Sequence, residues 1–308
     1  MGAGKRLMEL APIALFAYNR PVHTRRTLES LQKNELASQS DLYAFADGAK
    51  NAASTAAVQE VREFVRGIEG FKSVTVIERE RNVGLANSVI TGVTQLCADL
   101  GRVIAVEDDL LTAPDFLAFM NQALQRYAGE PRIFSVSGFN FPVAVPNSYA
   151  YDAYCSFRSI SWGWGTWKDR WQRADWSVRD FAEFIADREQ QKRFNQGGDD
   201  LTRMLALQMA GRIDSWSIRW DYTHFKHNAL AVLPVCSRVY NIGFDASGVH
   251  CRRARFRQSP LKNRTRCEYR FPEAVEADPH FTTEIQRLHR ISFARMLGHY
   301  FKDRMEWR

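Results

Sequence analysis

The sequence is poor in cysteine and has no long apolar run. Its five cysteines are scattered over 308 residues, and no two of them form a Cys-x-x-Cys pair. An odd number of separated cysteines argues against a disulfide framework and a cysteine zinc site, and it is typical of a reducing compartment. No apolar stretch reaches the roughly 20 residues that a membrane-spanning helix needs. We therefore expect a cytoplasmic protein without a membrane span.

Linkers rich in glycine, serine or proline and internal repeats are absent as well, and the first residues lack the apolar core of a signal peptide. Hydrophobic residues make up 45% and charged residues 25% of the chain, which are ordinary values for a globular protein. We expect one continuous domain over residues 1–250, followed by a basic extension over residues 251–308. The extension holds 14 Lys/Arg and 7 Asp/Glu and so carries the whole net charge of +7.

The extension also contains an amphipathic stretch from Ile285 to Trp307, which predicts that it is partly helical. A basic amphipathic segment suits an anionic membrane surface, which would place the protein at the inner face of the plasma membrane. The same pattern fits a terminal helix that docks on the protein through its apolar side. No nucleic-acid-binding motif accompanies the charge, so nucleic acid is not an expected partner.

Residues 11–110 alternate between apolar strands and helices. The predicted strands are Pro12–Ala17, Leu42–Ala46, Ser73–Ile77 and Val103–Glu107. The predicted helices between them are Thr24–Lys33, Thr55–Gly67 and Leu85–Leu100. This order predicts an α/β fold with a Rossmann-like, mostly parallel central sheet flanked by helices. Further strands are predicted at Ile133–Ser137 and Ala229–Leu233, in a second half that is rich in aromatic residues.

Polar side chains follow each of the first four strands. They are Arg20, Asp47, Asn82 and the acidic triplet Glu107-Asp108-Asp109. Because the carboxyl ends of parallel strands share one edge, where α/β folds bind ligands, we expect these side chains to converge. Three adjacent carboxylates need a counter-charge, and Mn²⁺ or Mg²⁺ would supply one while bridging the phosphates of a nucleotide. Taken alone, the triplet also fits a solvated acidic turn before a helix.

Several motifs resemble, in the same order, those of GT-A glycosyltransferases related to N-acetylglucosaminyltransferase I. They are Glu107-Asp108-Asp109-Leu110, Ala113-Pro114-Asp115-Phe116, Val136–Asn140, Trp162–Trp164 and Pro234–Arg238. Bacterial family-2-like sugar transferases have segments similar to Gly198–Leu201, Asp214–Trp216 and Asn241–Asp245. The resemblance implies the GT-A fold, with a nucleotide-sugar-binding half over residues 11–110 and an aromatic-rich acceptor half over residues 111–250.

The resemblance also implies roles at the donor site. Asp109 would bind Mn²⁺ or Mg²⁺, Asp108 would lie on the ribose side, and Glu107 would lie near the transferred sugar. If strand alternation persists through the triplet, Glu107 and Asp109 face the same way and Asp108 points elsewhere, which agrees with these roles. Arg20 would contact the diphosphate, and Asp47 would accept the N3–H of uracil.

Further residues receive roles from the same resemblance. Asn82 and Gly84 would lie in the loop that packs on the base. His250 would belong to a loop that closes over donor and metal and would contact a phosphate or the metal, unless it is a structural surface histidine. Most tryptophans are expected in the core, and either Trp162 or Trp164 is expected to face a sugar of the acceptor.

Two aspartates are candidates for the catalytic base, which must take a proton from the acceptor hydroxyl in an inverting transfer. Asp214 has the family's position in element order, although Ser215 stands where the family has a second acid. Asp200 belongs to an acid pair that resembles the base position of family-2 transferases. Either aspartate could instead cap a helix.

We therefore predict a metal-dependent, inverting glycosyltransferase that moves a hexosyl or N-acetylhexosaminyl group from a nucleotide-diphosphate sugar, with a UDP-sugar favoured. Its acceptor would be a saccharide or a lipid-linked glycan in the synthesis of surface polysaccharide. One alternative is a sugar-1-phosphate nucleotidyltransferase, which would need a glycine-rich basic loop where Tyr18-Asn19-Arg20-Pro21-Val22 stands. The other alternative is a non-catalytic glycan-binding or membrane-docking protein of the same fold.

Overall fold

The computed structural model describes residues 9–245, 257–262 and 268–290. Its first half consists of β1 (Ile13–Ala17), α1 (Pro21–Gln32), β2 (Asp41–Ala46), α2 (Ala52–Arg66), β3 (Ser73–Glu78), α3 (Leu85–Leu100) and β4 (Arg102–Glu107). Every strand and helix predicted for this half is present. The helices α1 and α2 begin three residues earlier than predicted, because Pro21 fits the first turn of α1 and Asn51 caps α2 together with Ser54.

The second half contains shorter elements. They are β5 (Leu110–Thr112), α4 (Phe116–Arg126), β6 (Ile133–Ser137), β7 (Ala153–Ser156), β8 (Trp164–Trp167), α5 (Lys168–Trp171), α6 (Phe181–Ala186), α7 (Arg188–Phe194), α8 (Leu201–Met209), α9 (Trp216–Lys226), β9 (Leu230–Pro234), β10 (Val239–Asn241) and α10 (Pro279–Leu288). The two strands predicted here correspond to β6 and β9. The sequence does not predict β7 or β8, because four residues are too few to show an alternation of apolar and polar side chains.

The central sheet joins strands from both halves. Its eight strands have the order β3-β2-β1-β4-β8-β6-β9-β7, and all of them except β8 and β7 point the same way. The strands β5 and β10 pair separately as a two-stranded antiparallel ladder. The predicted α/β class, with a mostly parallel central sheet flanked by helices, is confirmed.

Two apolar cores lie on the two faces of this sheet. Successive residues of β1 alternate between them, with Ile13 and Leu15 in the first core and Ala14 and Phe16 in the second. The first core is covered by buried residues of α1, α2, α4 and α10. The second core is covered by α3 and α9 and contains a cluster of tryptophans.

The tryptophan cluster surrounds Trp164, which is 2% exposed. The ring of Trp164 stacks on Trp216 with centroids 4.9 Å apart and lies 5.5 Å from the ring of Trp171. The residue after Trp164 is a glycine, and any side chain there would be crowded, because a Cβ on Gly165 would lie 2.9 Å from the carbonyl oxygen of Val103 in β4. Five of the eight tryptophans are buried, so the expectation that most of them belong to the core is confirmed.

The segment over residues 268–290 packs into the first core. The ring of Phe281 in α10 stacks on Tyr154 with centroids 3.8 Å apart. Ile285 is also buried, so the predicted extension over residues 251–308 contributes a helix to the core. The amphipathic stretch that begins at Ile285 is described only as far as residue 290. Within the described ranges, no helix is long and apolar enough to cross a membrane.

A neutral histidine is buried in the second core. Nε2 of His224 in α9 accepts a hydrogen bond from the hydroxyl of Ser135 at 2.9 Å, and Nδ1 donates to the carbonyl oxygen of Trp220 at 2.9 Å. The carbonyl oxygen can only accept, so these two bonds fix the neutral tautomer. Burial lowers the pKa of His224 to about 4.

We predict that His224 destabilises the fold in acid. Between pH 6.5 and 4 the unfolded chain protonates His224 and the folded chain does not, so the free energy of unfolding falls as the pH falls. The free energy of unfolding should fall by roughly 3 kcal/mol between pH 6.5 and 4 because of His224. This fall should be missing in His224→Gln, and urea unfolding at several pH values measures it. His227→Gln alters an exposed imidazole next to the end of the same helix, whose charge makes the smallest of the three contributions to the pKa of His224, and should keep most of the wild-type dependence. An unchanged pH dependence in His224→Gln would count against this assignment.

Candidate functional site

The polar residues after the first four strands meet at one edge of the sheet, as predicted. The reason is the strand order, in which β1 lies between β2 and β4, and β3 lies beyond β2. These residues form two groups. The first is Arg20 with residues 107–109, which we call the acidic turn. The second is Asp47 with residues 82–84, which we call the 82–84 loop.

Arg20 precedes α1 and pairs with the acidic turn. Its Nη2 donates to Oδ1 of Asp108 and, at 2.9 Å, to Oδ2 of Asp109. The backbone N–H of Tyr18 donates to the other oxygen of Asp108 at 3.3 Å. Both aspartates therefore face the same guanidinium, and the expectation that strand alternation would point them apart is wrong. The reason is that β4 ends at Glu107, so the next two residues form a turn in which strand alternation no longer applies.

One buried oxygen of the acidic turn has no hydrogen-bond partner in the described part of the chain. Asp109 is 8% exposed, and its Oδ1 is buried without a hydrogen bond from the described residues. A buried carboxylate oxygen is costly unless a donor or a cation satisfies it. Carboxylate oxygens are the ligands that Mg²⁺ and Mn²⁺ prefer, so Asp109 fits such an ion. In the described part of the chain, no group of three or more His, Cys, Asp or Glu side chains could hold a metal by itself.

The carboxyl groups of the acidic turn also outnumber the cations that contact them. Burial raises the pKa of Glu107 to about 8, and the neighbouring carboxylates of Asp109 and Asp108 add to this shift. Burial likewise raises the pKa of Asp108, while the positive charge of Arg20 opposes that shift. Arg20 pairs with Asp108 and Asp109, so one positive charge faces two aspartates and the turn remains attractive to a further cation.

The acidic turn is packed tightly against the residues that follow β10. Because β10 pairs with β5, Ile242 can donate its N–H to the backbone oxygen of Asp109 at 2.8 Å. A Cβ on Gly243 would lie 2.9 Å from Cγ of Asp109 and 3.1 Å from Nη1 of Arg20. A larger residue at this position would require the side chains of Asp109 and Arg20 to move. Sequence reasoning missed the role of Gly243, because nothing in the spacing of its motif shows that it faces the acidic turn.

Asp47 follows β2 and holds the 82–84 loop. Its Oδ1 accepts hydrogen bonds from the backbone N–H groups of Gly48, at 2.9 Å, and Val83, at 3.0 Å. Its Oδ2 accepts from the side-chain amide of Asn82, at 2.9 Å, and from the N–H of Gly84, at 3.1 Å. The structure thus brings Asp47, Asn82 and Gly84 together. The predicted contact with N3–H of uracil would need a further acceptor site on a carboxylate that already has two donors on each oxygen.

Asp214 lies beside the 82–84 loop. A Cβ on Gly84 would lie 3.8 Å from Oδ2 of Asp214. The side chain of Asp214 is 57% exposed and lies 4.0 Å from the guanidinium of Arg219. Ser215, and not Asp214, caps α9 with its hydroxyl, so the alternative role of Asp214 as a helix cap is excluded. The result is an accessible carboxylate at the same edge as Arg20.

Asp200 lies in a different environment. It is 4% exposed, and its carboxylate accepts hydrogen bonds from both terminal nitrogens of Arg158, at 2.8 and 3.4 Å. Arg158 follows β7, the edge strand. This strand lies four strands from β4, which is roughly 19 Å across the sheet, so the pair of Arg158 and Asp200 is remote from the strand that leads into the acidic turn. The buried carboxylate of Asp221 accepts from the N–H and the hydroxyl of Ser159, both at 2.8 Å, and burial raises its pKa to about 6. Sequence reasoning missed Arg158 and Asp221. No local pattern shows that Arg158 pairs with Asp200 or that Asp221 accepts hydrogen bonds from Ser159.

Trp162 and Trp164, the two tryptophans considered for an acceptor sugar, differ in exposure. Trp164 is a core residue, whereas Trp162 is half-buried. The ring of Trp162 lies 4.4 Å from that of Phe139 and 5.5 Å from that of Phe244, measured between centroids. Trp162 therefore adjoins the residues that pack on the acidic turn. His250 lies outside the described residues.

Two solved structures are similar to this chain. The mannosyltransferase PcManGT from Pyrobaculum calidifontis, in complex with GDP-Man and Mn²⁺, is 14% identical with a TM-score of 0.38 over 72% of this chain and 73% of its own. S. aureus TarS is 11% identical with a TM-score of 0.41 over 76% of this chain and 37% of its own, so this chain spans well under half of TarS. No protein-family model and no curated protein sequence matches.

We predict that Gly243→Ala destabilises the protein. The new methyl group would push the carboxylate of Asp109 against Arg20, and overpacking of this kind typically lowers the free energy of unfolding by about 1–3 kcal/mol. Urea unfolding measures the change. Gly129→Ala is the matched control, because nothing lies within 4 Å of a Cβ at that position. Equal stability of the two variants would show that the acidic turn is less tightly packed than described.

Proposed function

We propose that the chain is a metal-dependent glycosyltransferase with the GT-A fold, whose donor is a nucleotide-diphosphate sugar. The observation that carries this proposal is the buried Oδ1 of Asp109, which has no hydrogen-bond partner among the described residues and lies beside the guanidinium of Arg20. Both lie at the edge of the sheet where α/β folds bind ligands. The 82–84 loop and Asp214 adjoin the same edge, and the ordered motifs of the sequence resemble those of this family.

The metal would be Mn²⁺ or Mg²⁺, held by Asp109. Such ions keep water and substrate phosphates among their ligands, which suits a site with few protein ligands. When bound, the ion would stabilise the negative charge of the departing nucleotide. The guanidinium of Arg20 supplies a second positive charge, and its planar arrangement of N–H groups matches phosphate oxygens. The family resemblance alone, without support from strand alternation, assigns Asp108 to the ribose side and Glu107 to the side of the transferred sugar.

We assign the role of catalytic base to Asp214. Its carboxylate is exposed at the donor edge, whereas that of Asp200 is buried and paired with Arg158. Asp214 takes the proton of the acceptor hydroxyl while the hydroxyl oxygen attacks the anomeric carbon. The bond from that carbon to the diphosphate breaks on the opposite face, so the configuration inverts.

The acceptor is proposed to be a saccharide or a lipid-linked glycan in surface polysaccharide synthesis, and the transferred group a hexosyl or N-acetylhexosaminyl group. Trp162 is half-buried, so part of its ring is available to the C–H face of a sugar. The charge of residues 251–308 supports an encounter with an anionic membrane at the cytoplasmic side. His250 remains a candidate contact for a phosphate or the metal.

Calorimetric titration with nucleoside diphosphates, in the presence and absence of Mn²⁺, tests this function. We expect at least one nucleoside diphosphate to bind, and its affinity to fall when Mn²⁺ is removed with EDTA. The absence of any metal-dependent nucleotide binding would refute the proposal. Release of pyrophosphate from a sugar 1-phosphate and a nucleoside triphosphate would instead identify a nucleotidyltransferase.

We predict opposite phenotypes for the two candidate bases. Asp214→Asn should lower sugar transfer by roughly 100-fold or more, because no other group takes the proton, and should spare nucleotide binding and stability. Asp200→Asn should lower the free energy of unfolding by roughly 3 kcal/mol, because Arg158 loses its buried counter-charge, while transfer per folded molecule is retained. A donor turnover assay and urea unfolding measure the two effects.

Asp199→Asn is the control for these variants, because it removes an exposed carboxylate next to Asp200. It should change neither transfer nor stability. Full transfer in Asp214→Asn would exclude Asp214 as the base. Loss of transfer in a fully stable Asp200→Asn protein would assign the base to Asp200.

A further inference from the structure

The 82–84 loop and the segment after β2 are pressed against each other. A Cβ on Gly48 would lie 2.7 Å from Cα of Arg81, so the two backbones leave no space between them. The side-chain amide of Asn82 links them, because Nδ2 donates to Oδ2 of Asp47 at 2.9 Å and to the carbonyl oxygen of Gly48 at 3.0 Å. The loop is therefore preorganised at the edge of the sheet where the nucleotide donor is proposed to bind.

The same two hydrogen bonds determine which way the amide of Asn82 points. Both partners are acceptors, so the NH₂ group must face them and the carbonyl oxygen Oδ1 must point the other way. No residue in the described ranges donates a hydrogen bond to this oxygen, and Asn82 is only half-buried. Oδ1 of Asn82 is thus a fixed acceptor that is open to a ligand.

Asp47 has no comparable acceptor. A carboxylate has about four lone-pair sites, and the four donor groups of Gly48, Val83, Asn82 and Gly84 occupy them. Asp47 is also 4% exposed, so little of it is accessible to a ligand. The hydrogen bonds of Asp47 hold the 82–84 loop in place and orient the side-chain amide of Asn82.

We propose that Oδ1 of Asn82 accepts the ring N–H of the donor's nucleobase, and that Asp47 is the positioning residue that orients this amide. The bases with such a group are uracil and thymine, at N3, and guanine, at N1. Cytosine and adenine have a lone pair at the same ring position, which would face the lone pairs of Oδ1. The inference rests on the proposed function, because a nucleotide donor must bind at this edge.

Nucleoside diphosphates in matched pairs test the inference. UDP and CDP differ at this ring position, as do GDP and ADP, while each pair shares the ribose and the diphosphate. In calorimetric titrations with Mn²⁺, the wild-type protein should bind the N–H member of at least one pair about fivefold more tightly. Asn82→Ala should bring that ratio to about one by weakening the N–H member. Its affinity for the other member should stay within about twofold of wild type, which shows that the variant is folded.

Two further variants separate base recognition from the position of the loop. Asp47→Asn places an NH₂ group among backbone donors, so the loop should shift and both members of the pair should lose affinity. Asn87→Ala removes an exposed amide that donates to the carbonyl oxygen of Val83 at 3.0 Å, a different contact of the same loop. Asn87→Ala should keep the wild-type ratio.

Three outcomes would overturn the inference. A ratio that survives in Asn82→Ala would assign base recognition to another group, such as Asp47. Equal binding of both members of each pair by the wild-type protein would leave the proposed function intact and remove only this inference. The absence of any nucleotide binding would refute both.

Discussion

The pairing of Arg20 with Asp108 and Asp109 makes the acidic turn possible. Three successive carboxyl groups at the end of a buried strand would repel one another, and one guanidinium allows two of them to lie together. Gly243, which follows β10, packs against the side chains of Asp109 and Arg20. Of the four oxygens of the two aspartates, only Oδ1 of Asp109 has no partner in the described residues. The turn can therefore fold without a metal and still offer a ligand to one.

The 82–84 loop at the same edge of the sheet is held in place for a related reason. Asp47 is buried after β2, so its carboxylate must be satisfied by the protein, and the 82–84 loop supplies most of the donors. This requirement fixes the position of Gly84, which lies next to Asp214. A nucleotide that binds here would meet groups whose positions are already set, which reduces the entropy lost on binding.

The sequence predicts the sheet edge well and the contacts within it less well. Buried parallel strands give continuous apolar runs, so the strand ends and the polar residues after them can be located by local pattern. The direction of the Asp108 side chain cannot be located in this way, because it depends on where β4 ends and on the charge of Arg20, which precedes α1. The burial of Asp200 depends on Arg158, which is 42 residues away. The role of Gly243 likewise depends on a strand pairing between distant segments.

The position of a bound Mn²⁺ ion tests the proposed role of the acidic turn most directly. A crystal of the full chain soaked with Mn²⁺ and a nucleoside diphosphate locates the ion by its anomalous scattering. We expect Mn²⁺ bound to the carboxylate of Asp109, with the diphosphate next to it and the base beside the 82–84 loop. An ion bound elsewhere, or a nucleotide away from this edge of the sheet, would contradict the role that we assign to the acidic turn.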